Sequence, residues 1–380
     1  MKIVVNTRLL IKDKLEGIGW FSYETLKRIT QSHPEHDFFF LFDRAYDESF
    51  IFSKNIIPVV IAPQARHPIL FKIWFNWSVH RFLKKIKADL FLSPDGYLSL
   101  TTNVPQLAVI HDLNFEHYPA FLPKHIAKYY KKNFPLFAKK AARIVTVSNF
   151  SKQDIVSQYG INPEKINVAY NGINELFVPI SETKKEVVKN KYSNGNPYFI
   201  YVGSLNPRKN IENTLRAFDA FKKQTKSNYK FIIVGEKLWS NKSIETCYNG
   251  LAHKEDVVFV GRLFNADLRD VLASATALLY ISFFEGFGIP VVEAMRCGTP
   301  VITSNRTSLP EVAGDAAIQC NPEDYNGIAN LMLSVTHKEV SDLMIERGLE
   351  QAKKFNWDST AQDLWQAMEE VLNRGLLKNT

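Results

Sequence analysis

Short apolar runs alternate with helix-forming segments along most of the chain. Runs of about five or six apolar residues are typical of parallel strands that are buried on both faces of a sheet. A polar stretch at 180–197 separates two groups of these runs. The pattern predicts an α/β fold built from two doubly wound domains. The predicted strands are KIVVN (2–6), DFFFLF (37–42), PVVIA (58–62), DLFLS (89–93), LAVIHD (107–112), RIVTVS (143–148), INVAY (166–170), YFIYVG (198–203), KFIIVGE (230–236), DVVFVG (256–261), ALLYIS (277–282), PVITS (300–304) and AAIQC (316–320).

The polar stretch sets the predicted domain boundary. We expect an N-terminal domain over 1–185 and a C-terminal domain over 190–356, followed by a helix over 357–380. In open α/β sheets, ligands bind beyond the carboxyl ends of the strands. Two such domains facing across a cleft would bring two sets of strand ends together, so chemistry is expected in the loops that follow the strands.

The composition is that of a globular protein. Of the 380 residues, 46% are hydrophobic and 23% are charged, which is an ordinary balance. No apolar run approaches the roughly 18–20 residues of a membrane span, and the start of the chain does not have the pattern of a signal peptide. The cysteines, Cys247, Cys297 and Cys320, lack metal-binding spacing. These features predict a cytoplasmic protein with reduced thiols.

The positive charge is unevenly distributed. The net charge is +8, and residues 51–150 alone hold 14 Lys and Arg against 4 Asp and Glu. Much of this excess lies in two segments, 71–87 and 124–143, in which aromatic residues alternate with cations. As helices, they would present an apolar strip flanked by cations, which favours an anionic membrane surface. The alternative is a core-packing helix with a solvated basic face. Nucleic acid is disfavoured because no recognised binding motif accompanies the charge.

The segment FFEGFGIPVVEAMRCGTP (283–300) holds two carboxylates beside a glycine loop. Glu285 and Glu293 lie eight positions apart, with Gly286 and Gly288 between them. A glycine turn that opens a helix directs N–H groups and the positive end of the helix dipole at an anion. Carboxylates accept hydrogen bonds from hydroxyl groups. The segment therefore predicts a sugar-phosphate site, although either glutamate alone also fits an ordinary helix start.

A cationic pair follows the first predicted strand of the second domain. In GSLNPRKN (203–210), Arg208 and Lys209 precede a helix and could clamp a diphosphate. The alternative is a basic loop beside a helix. The chain contains no Asp-x-Asp, the usual carboxylate cradle for a divalent metal on a nucleotide sugar, so no metal is expected. After DVVFVG, Arg262 and Leu263 could contact a base, and Arg262 could equally be a solvated charge.

Candidates in the first domain also lie near strand ends. His111 ends a predicted strand and could donate to a sugar hydroxyl or to a developing negative charge, with Asp112 orienting it or its loop. The alternative for His111 is a bond to neighbouring backbone. Gly17 and Gly19 precede a predicted helix without forming a dinucleotide-binding fingerprint, and they could cover the acceptor or the phosphates. Asp95 is a further candidate.

Together these motifs resemble those of a retaining nucleotide-sugar glycosyltransferase with the GT-B fold (family four, group-1 type), whose two domains are Rossmann-like. In such enzymes the N-terminal domain binds the acceptor, the C-terminal domain binds the nucleotide sugar, and the last helix crosses back onto the first domain. The chain departs from many relatives at Ser204, where they have Arg, and Arg208 in "PRKN" replaces that charge. The sequence PRKN resembles that of a bacterial mannosyltransferase subgroup. The resemblance rests on YVGSLNPRKN (201–210), EGFGIPVVE (285–293), GTPVITSN (298–305) and LPEVAGDAA (309–317).

The resemblance implies a role for each candidate. The catalytic candidates Glu285 and His111 would contact the donor sugar, and Glu293 would contact the ribose. The sugar and phosphate would be contacted by Gly286, Phe287 and Gly288. The diphosphate would be held by Arg208, Lys209, Gly17 and Gly19.

The implied reaction is a metal-independent hexose transfer with retention of configuration, in surface polysaccharide biosynthesis. The acceptor would be a hydroxyl of a glycan or a lipid-linked glycan, and GDP-mannose is favoured over UDP-sugars as donor. No cofactor is implied beyond this co-substrate. The expected location is peripheral, at the inner face of the cytoplasmic membrane. Two alternatives stay open: a nucleotide-sugar epimerase on the same architecture, and an inactive sugar-nucleotide-binding scaffold.

Overall fold

The computed structural model describes residues 1–236 and 242–376. They form two compact units: unit 1 comprises Met1–Gly172 and the described residues from Asn356 onwards, and unit 2 comprises Ile173–Phe355. The chain passes from unit 1 to unit 2 at Gly172–Ile173, whereas the sequence placed the boundary in the polar stretch 180–197, much of which is a helix of unit 2. The end of the predicted C-terminal helix, 377–380, lies outside the described residues.

Unit 1 contains a parallel sheet in the strand order β3-β2-β1-β4-β5-β6-β7. The order reverses between β1 and β4, and such a switch point is where open α/β sheets bind ligands. Its strands are β1 (Lys2–Asn6), β2 (Asp37–Phe42), β3 (Ile56–Val60), β4 (Leu90–Ser93), β5 (Gln106–Val109), β6 (Arg143–Thr146) and β7 (Ile166–Val168).

Unit 2 repeats this topology with the order β10-β9-β8-β11-β12-β13, all parallel, and its switch point lies between β8 and β11. The two parallel sheets, each flanked by helices, confirm the predicted α/β class with Rossmann-like domains. The strands are β8 (Tyr198–Val202), β9 (Lys230–Val234), β10 (Val257–Gly261), β11 (Ala277–Tyr280), β12 (Val301–Ser304) and β13 (Ile318–Cys320).

Helices connect most of the successive strands. They are α1 (Gly17–Ser32), α2 (Pro68–Ile73), α3 (His80–Ile86), α4 (Asn114–His117), α5 (Lys124–Lys140), α6 (Asn149–Tyr159), α7 (Glu182–Ser193), α8 (Ile211–Thr225), α9 (Lys242–Asn249), α10 (Asn265–Ala273), α11 (Ile289–Arg296), α12 (Leu309–Ala313), α13 (Tyr325–Val335), α14 (Lys338–Ala352) and α15 (Trp357–Leu376). A π-helical turn, Trp74–Val79, joins α2 to α3. Among the described helices, none combines the length and the apolar character needed to cross a bilayer.

An aromatic core beside the unit 1 sheet explains part of the aromatic content of the basic segments. Trp74 and Phe75, from the π-helical turn, are fully buried, and Phe134 and Phe137 of α5 pack with Tyr97. One face of each basic segment therefore belongs to the core of unit 1, as the core-packing alternative expects.

Candidate active site

The predicted cationic pair lies in a short turn at the switch point of unit 2. Arg208 and Lys209 belong to a 3₁₀ turn between β8 and α8, and the Asn206 side chain accepts a hydrogen bond from the Arg208 amide at 3.0 Å. Asn210 has a positive φ of 58° and ends this turn. Its side-chain amide donates to the carbonyl of Ile281, the residue after β11, at 3.0 Å. The two loops of the switch point are thus tied together.

The loop after β11 is held from both sides. The amide of Glu285 donates to the Thr307 hydroxyl at 3.1 Å. The Ser308 hydroxyl donates to the carbonyls of Glu285 at 2.9 Å and Phe287 at 3.1 Å. Gly288 has a φ of 107°, and a Cβ built there would lie 2.7 Å from Leu309 Cδ2, so this position requires glycine. Backbone geometry and close packing together set the entry into α11.

The structure brings Arg208, Lys209 and Glu285 together as a buried ion cluster. Lys209 Nζ lies 2.6 Å from Glu285 Oε1, and Arg208 Nη1 lies 3.0 Å from Glu285 Oε2. Lys209 Nζ also donates to the Tyr280 hydroxyl at 2.6 Å and lies 4.9 Å from the centre of the Tyr280 ring. Arg208 donates in addition to the carbonyl of Phe284. Each carboxylate oxygen of Glu285 therefore faces one cation.

This cluster determines the charge of Glu285. Burial alone would raise the pKa of its carboxyl, but Arg208 and Lys209 outweigh burial and lower the pKa to about 2. Glu285 is therefore ionised at neutral pH. It can accept hydrogen bonds from hydroxyl groups or stabilise a developing positive charge, and it has no proton to donate as a general acid.

Glu293 has the opposite character. It lies half-buried in α11, and its carboxylate makes no hydrogen bond or ion pair with the described residues. Burial raises its pKa to about 7. Near neutral pH this group can therefore either accept or donate a hydrogen bond.

The predicted base contacts lie at the same sheet edge but further along it. Arg262 and Leu263 follow β10, which is separated from β8 by β9. Arg262 Nη1 lies 4.0 Å from Glu236 Oε1, and its guanidinium lies 4.5 Å from the ring centre of the exposed Phe264. Arg262 thus has partners on the protein surface.

In unit 1, His111 has a defined tautomer. Its Nε2 lies 2.8 Å from the Pro94 carbonyl oxygen, which can only accept, so Nε2 carries a proton. Burial lowers the pKa of His111, and the Pro94 carbonyl opposes this only in part. The ring is therefore neutral at pH 7 and its Nδ1 is an acceptor, which differs from the expected donor role. Asp112 Oδ1 accepts from the Asn114 amide at 2.9 Å, so it shapes the loop.

The position predicted for the two glycines near the start of the first domain is wrong, because they were expected in a loop before a helix. Gly17 and Gly19 lie within the first turn of α1 rather than before it. Gly17 is exposed with open space around its Cα. A Cβ at the buried Gly19 would lie 3.1 Å from Leu15 Cδ2, so tight packing accounts for glycine there.

A buried ion pair at the switch point of unit 1 was not predicted. Arg8, just after β1, places its Nε and Nη2 each 2.8 Å from Asp95 Oδ2. Asn6 donates to Asp95 Oδ1 at 2.8 Å, and the Arg8 guanidinium lies 4.6 Å from the Tyr97 ring centre. Asp95 was a candidate from its place at a strand end. Arg8 gave no signal because a lone Arg after a strand is usually solvated.

No group of three or more His, Cys, Asp or Glu side chains that could hold a metal ion occurs within 1–236 and 242–376. The ion cluster at the unit 2 switch point consists of two cations and their carboxylate, a set suited to anions and hydroxyl groups.

Comparisons with known proteins agree with the fold and the motifs. The family described as Glycosyl transferases group 1 matches residues 182–354, and Glycosyltransferase Family 4 matches residues 16–175. The chain is 30% identical over 378 residues to O-antigen chain mannosyltransferase B of Escherichia coli, covering 94% of this chain and 97% of that protein.

Two solved structures share the fold at low identity. Sucrose-phosphate synthase from Thermosynechococcus elongatus has a TM-score of 0.77 at 17% identity, with 100% of both chains covered. The Anabaena protein HepE, in complex with UDP and glucose, has a TM-score of 0.75 at 16% identity, covering 97% of this chain and 100% of that one. The chain therefore belongs to the group 1 glycosyltransferases of family four and is a glycosyltransferase similar to bacterial mannosyltransferases.

Proposed function

We propose that the switch point of unit 2 binds a nucleotide sugar. Arg208 and Lys209 hold the diphosphate, aided by amides of the loop that opens α11, and Glu285 accepts hydrogen bonds from the sugar hydroxyls. The observation that supports this most is the cluster that sets both cations within 3.0 Å of Glu285 between β8 and β11. Glu293 binds the ribose, and Arg262 with Leu263 contacts the base.

The proposed reaction retains the anomeric configuration and needs no metal. Arg208 and Lys209 neutralise the leaving diphosphate, the task that a divalent ion performs in other enzymes. The acceptor hydroxyl attacks from the face that the leaving group departs from, and the diphosphate takes its proton. Ionised Glu285 stabilises the positive charge that develops on the sugar ring. In unit 1, which binds the acceptor, His111 Nδ1 accepts a hydrogen bond from a sugar hydroxyl.

We propose GDP-mannose as the donor and a hydroxyl of a glycan or lipid-linked glycan as the acceptor, in surface polysaccharide biosynthesis. The support is the relative described as an O-antigen chain mannosyltransferase, to which the chain is similar over nearly its whole length. That likeness spans both units, so it supports the acceptor class as well as the donor.

We also propose that unit 1 binds the anionic inner surface of the cytoplasmic membrane. On the segment from α2 to α3, Ile69, Ile73 and Trp77 are 63%, 41% and 59% exposed. They recur every four residues, opposite the face that packs into the core. The Arg81 guanidinium lies 5.0 Å from the Trp77 ring centre, and Lys72 is exposed nearby. Exposed apolar side chains flanked by cations suit an interfacial helix.

The donor site is tested by replacing its cations. We expect Arg208→Ala and Lys209→Ala each to lower kcat/KM for GDP-mannose by about a hundred-fold, because each removes a charged partner of the diphosphate. Lys223→Ala is the matched control: Lys223 is an exposed cation of α8, ion-paired with Asp219 at 2.8 Å, and it should leave the rate unchanged. Turnover should also persist in excess EDTA. Wild-type rates in both site variants would contradict the assignment.

A further inference from the structure

The cations assigned to the diphosphate already have a counter-ion in the protein. Glu285 lies 2.6 Å from Lys209 Nζ and 3.0 Å from Arg208 Nη1, and its side chain is only 7% exposed. A buried carboxylate that lost these partners would carry an uncompensated charge, which is costly. Any second anion that binds Arg208 and Lys209 therefore competes with Glu285 for these two cations.

The two anionic ligands of such a site, the sugar nucleotide and the free nucleoside diphosphate, differ in the groups that can contact Glu285. A sugar nucleotide brings hydroxyl groups, which can donate to the carboxylate while its phosphates take the cations. A free nucleoside diphosphate brings phosphate without a sugar, and its terminal phosphate carries additional negative charge near pH 7. Only the sugar nucleotide therefore provides Glu285 with new hydrogen-bond donors when Arg208 and Lys209 move to the phosphates.

We propose that Glu285 acts as an exchangeable counter-ion: it releases Arg208 and Lys209 to the diphosphate when sugar hydroxyls replace them, and it reclaims both cations after transfer. Glu285 thereby makes the site discriminate between the sugar nucleotide and the nucleoside diphosphate product, and it promotes product release. This inference rests on the proposed function.

Tyr280 defines the resting position of Lys209. It is the last residue of β11 and is buried, and its hydroxyl accepts from Lys209 Nζ at 2.6 Å. The Tyr280 ring lies beneath the ammonium group and packs on Tyr201, with ring centres 6.2 Å apart. Because the strand holds this ring in place, Tyr280 is a positioning residue that favours the Lys209–Glu285 pair over a shift toward phosphate.

The experiment compares GDP with GDP-mannose by titration calorimetry, with UDP and UDP-glucose in parallel. Glu285→Gln keeps the shape and a hydrogen-bond acceptor but removes the charge. We expect its Kd for GDP to fall about ten-fold, while its Kd for GDP-mannose falls less or rises. The ratio of the Kd for GDP to the Kd for GDP-mannose is therefore smaller in this variant than in the wild type. GDP should also become a stronger product inhibitor as turnover drops.

The control removes one carboxylate charge elsewhere in unit 2. Glu323 is exposed and lies 3.1 Å from Arg306, and Glu323→Gln should leave both affinities unchanged. Tyr280→Phe provides a milder second variant, because it keeps every charge and the ring but removes the hydroxyl group that accepts a hydrogen bond from Lys209. We expect it to tighten GDP binding about two- to three-fold.

The outcomes separate the two proposals. If Lys209→Ala abolishes GDP binding while Glu285→Gln leaves the GDP affinity unchanged or weaker, the exchange is overturned and the donor site stands. If neither Arg208→Ala nor Lys209→Ala alters GDP affinity, the proposed donor site itself fails. If Glu285→Gln does not fold, Tyr280→Phe decides, and unchanged GDP binding in that variant overturns the exchange.

Discussion

Glu285 in the loop after β11 and Glu293 in α11 have pKa values shifted in opposite directions, because their surroundings differ. Glu285 is buried and Glu293 is half-buried, and burial of a carboxyl group favours the neutral acid. Glu285 lies between two cations, and its pKa falls to about 2; burial raises the pKa of Glu293 to about 7. The surroundings of each glutamate, rather than its residue type, thus keep Glu285 ionised and let Glu293 change its charge near neutral pH.

The raised pKa of Glu293 predicts a pH-dependent stability. The folded protein holds this proton more tightly than the unfolded chain, so the contribution is favourable at low pH and is lost as the pH rises through about 7. We expect Glu293→Gln to raise the free energy of unfolding at pH 8 by on the order of 2 kcal/mol and to change it little at pH 4.5. Chemical denaturation at both pH values measures this. Glu323→Gln, at an exposed site, should show no such difference, and an equal gain for Glu293→Gln at both pH values would refute the assignment.

At the scale of elements, strands were predictable and the polar helix was not. Each predicted apolar run overlaps a strand, because a strand covered on both faces needs an unbroken apolar sequence. The stretch 180–197 was interpreted as the domain boundary because it is polar, and the helix α7 within it buries only Val188 and Ser193. A helix with so narrow a buried face has almost no apolar periodicity to detect.

The segment from α2 to α3 shows why its role stayed open in the sequence. Its buried residues, such as Trp74 and Phe75, and its exposed ones, such as Ile73 and Trp77, are chemically alike. Hydrophobicity alone therefore could not separate a core face from a membrane face. The π-helical turn also shifts the helical register, which a 3.6-residue period does not anticipate.

The exposed face of this segment predicts a salt-sensitive membrane affinity. We expect Ile73→Ser combined with Trp77→Ser to lower binding to vesicles rich in phosphatidylglycerol by about ten-fold or more, because two apolar side chains no longer enter the interface. Sedimentation at low and high salt measures it, and high salt should weaken the wild type as well. Val187→Ser on α7 removes a 57% exposed apolar side chain from unit 2 and should have no effect. Undiminished binding by the double variant would exclude this surface.

At the scale of the whole molecule, the sequence suggested candidate site residues but not which of them contact each other. Glu285 and Lys209 were each selected as ligand contacts, yet they are 76 positions apart and their mutual ion pair had no local signature. Arg8 and Asp95 are 87 positions apart and meet only because β1 and β4 are neighbours in the sheet. Pairings of this kind follow from strand order, which one sequence does not specify in detail.

The chain leaves unit 1 and returns to it at one tight crossing. Gly172 ends the first segment of the unit, and a Cβ built there would lie 2.3 Å from the Trp357 amide nitrogen, at the start of α15. Nearby, the Thr360 hydroxyl donates to the Tyr170 carbonyl at 2.6 Å. Backbone cannot swing aside as a flexible side chain can, so Gly172→Ala must separate the two segments and loosen α15 from the unit.

We therefore expect Gly172→Ala to lower the free energy of unfolding by about 1–3 kcal/mol, the cost of overpacking a dense site. Denaturant unfolding measures it, and α15 fluorescence through Trp357 and Trp365 reports the local change. Gly17→Ala is the matched control, because Gly17 has open space around it in the first turn of α1 and alanine favours helix there. Equal stability of the two variants would show that the crossing tolerates a methyl group, and the return of the chain to unit 1 would then not depend on this contact.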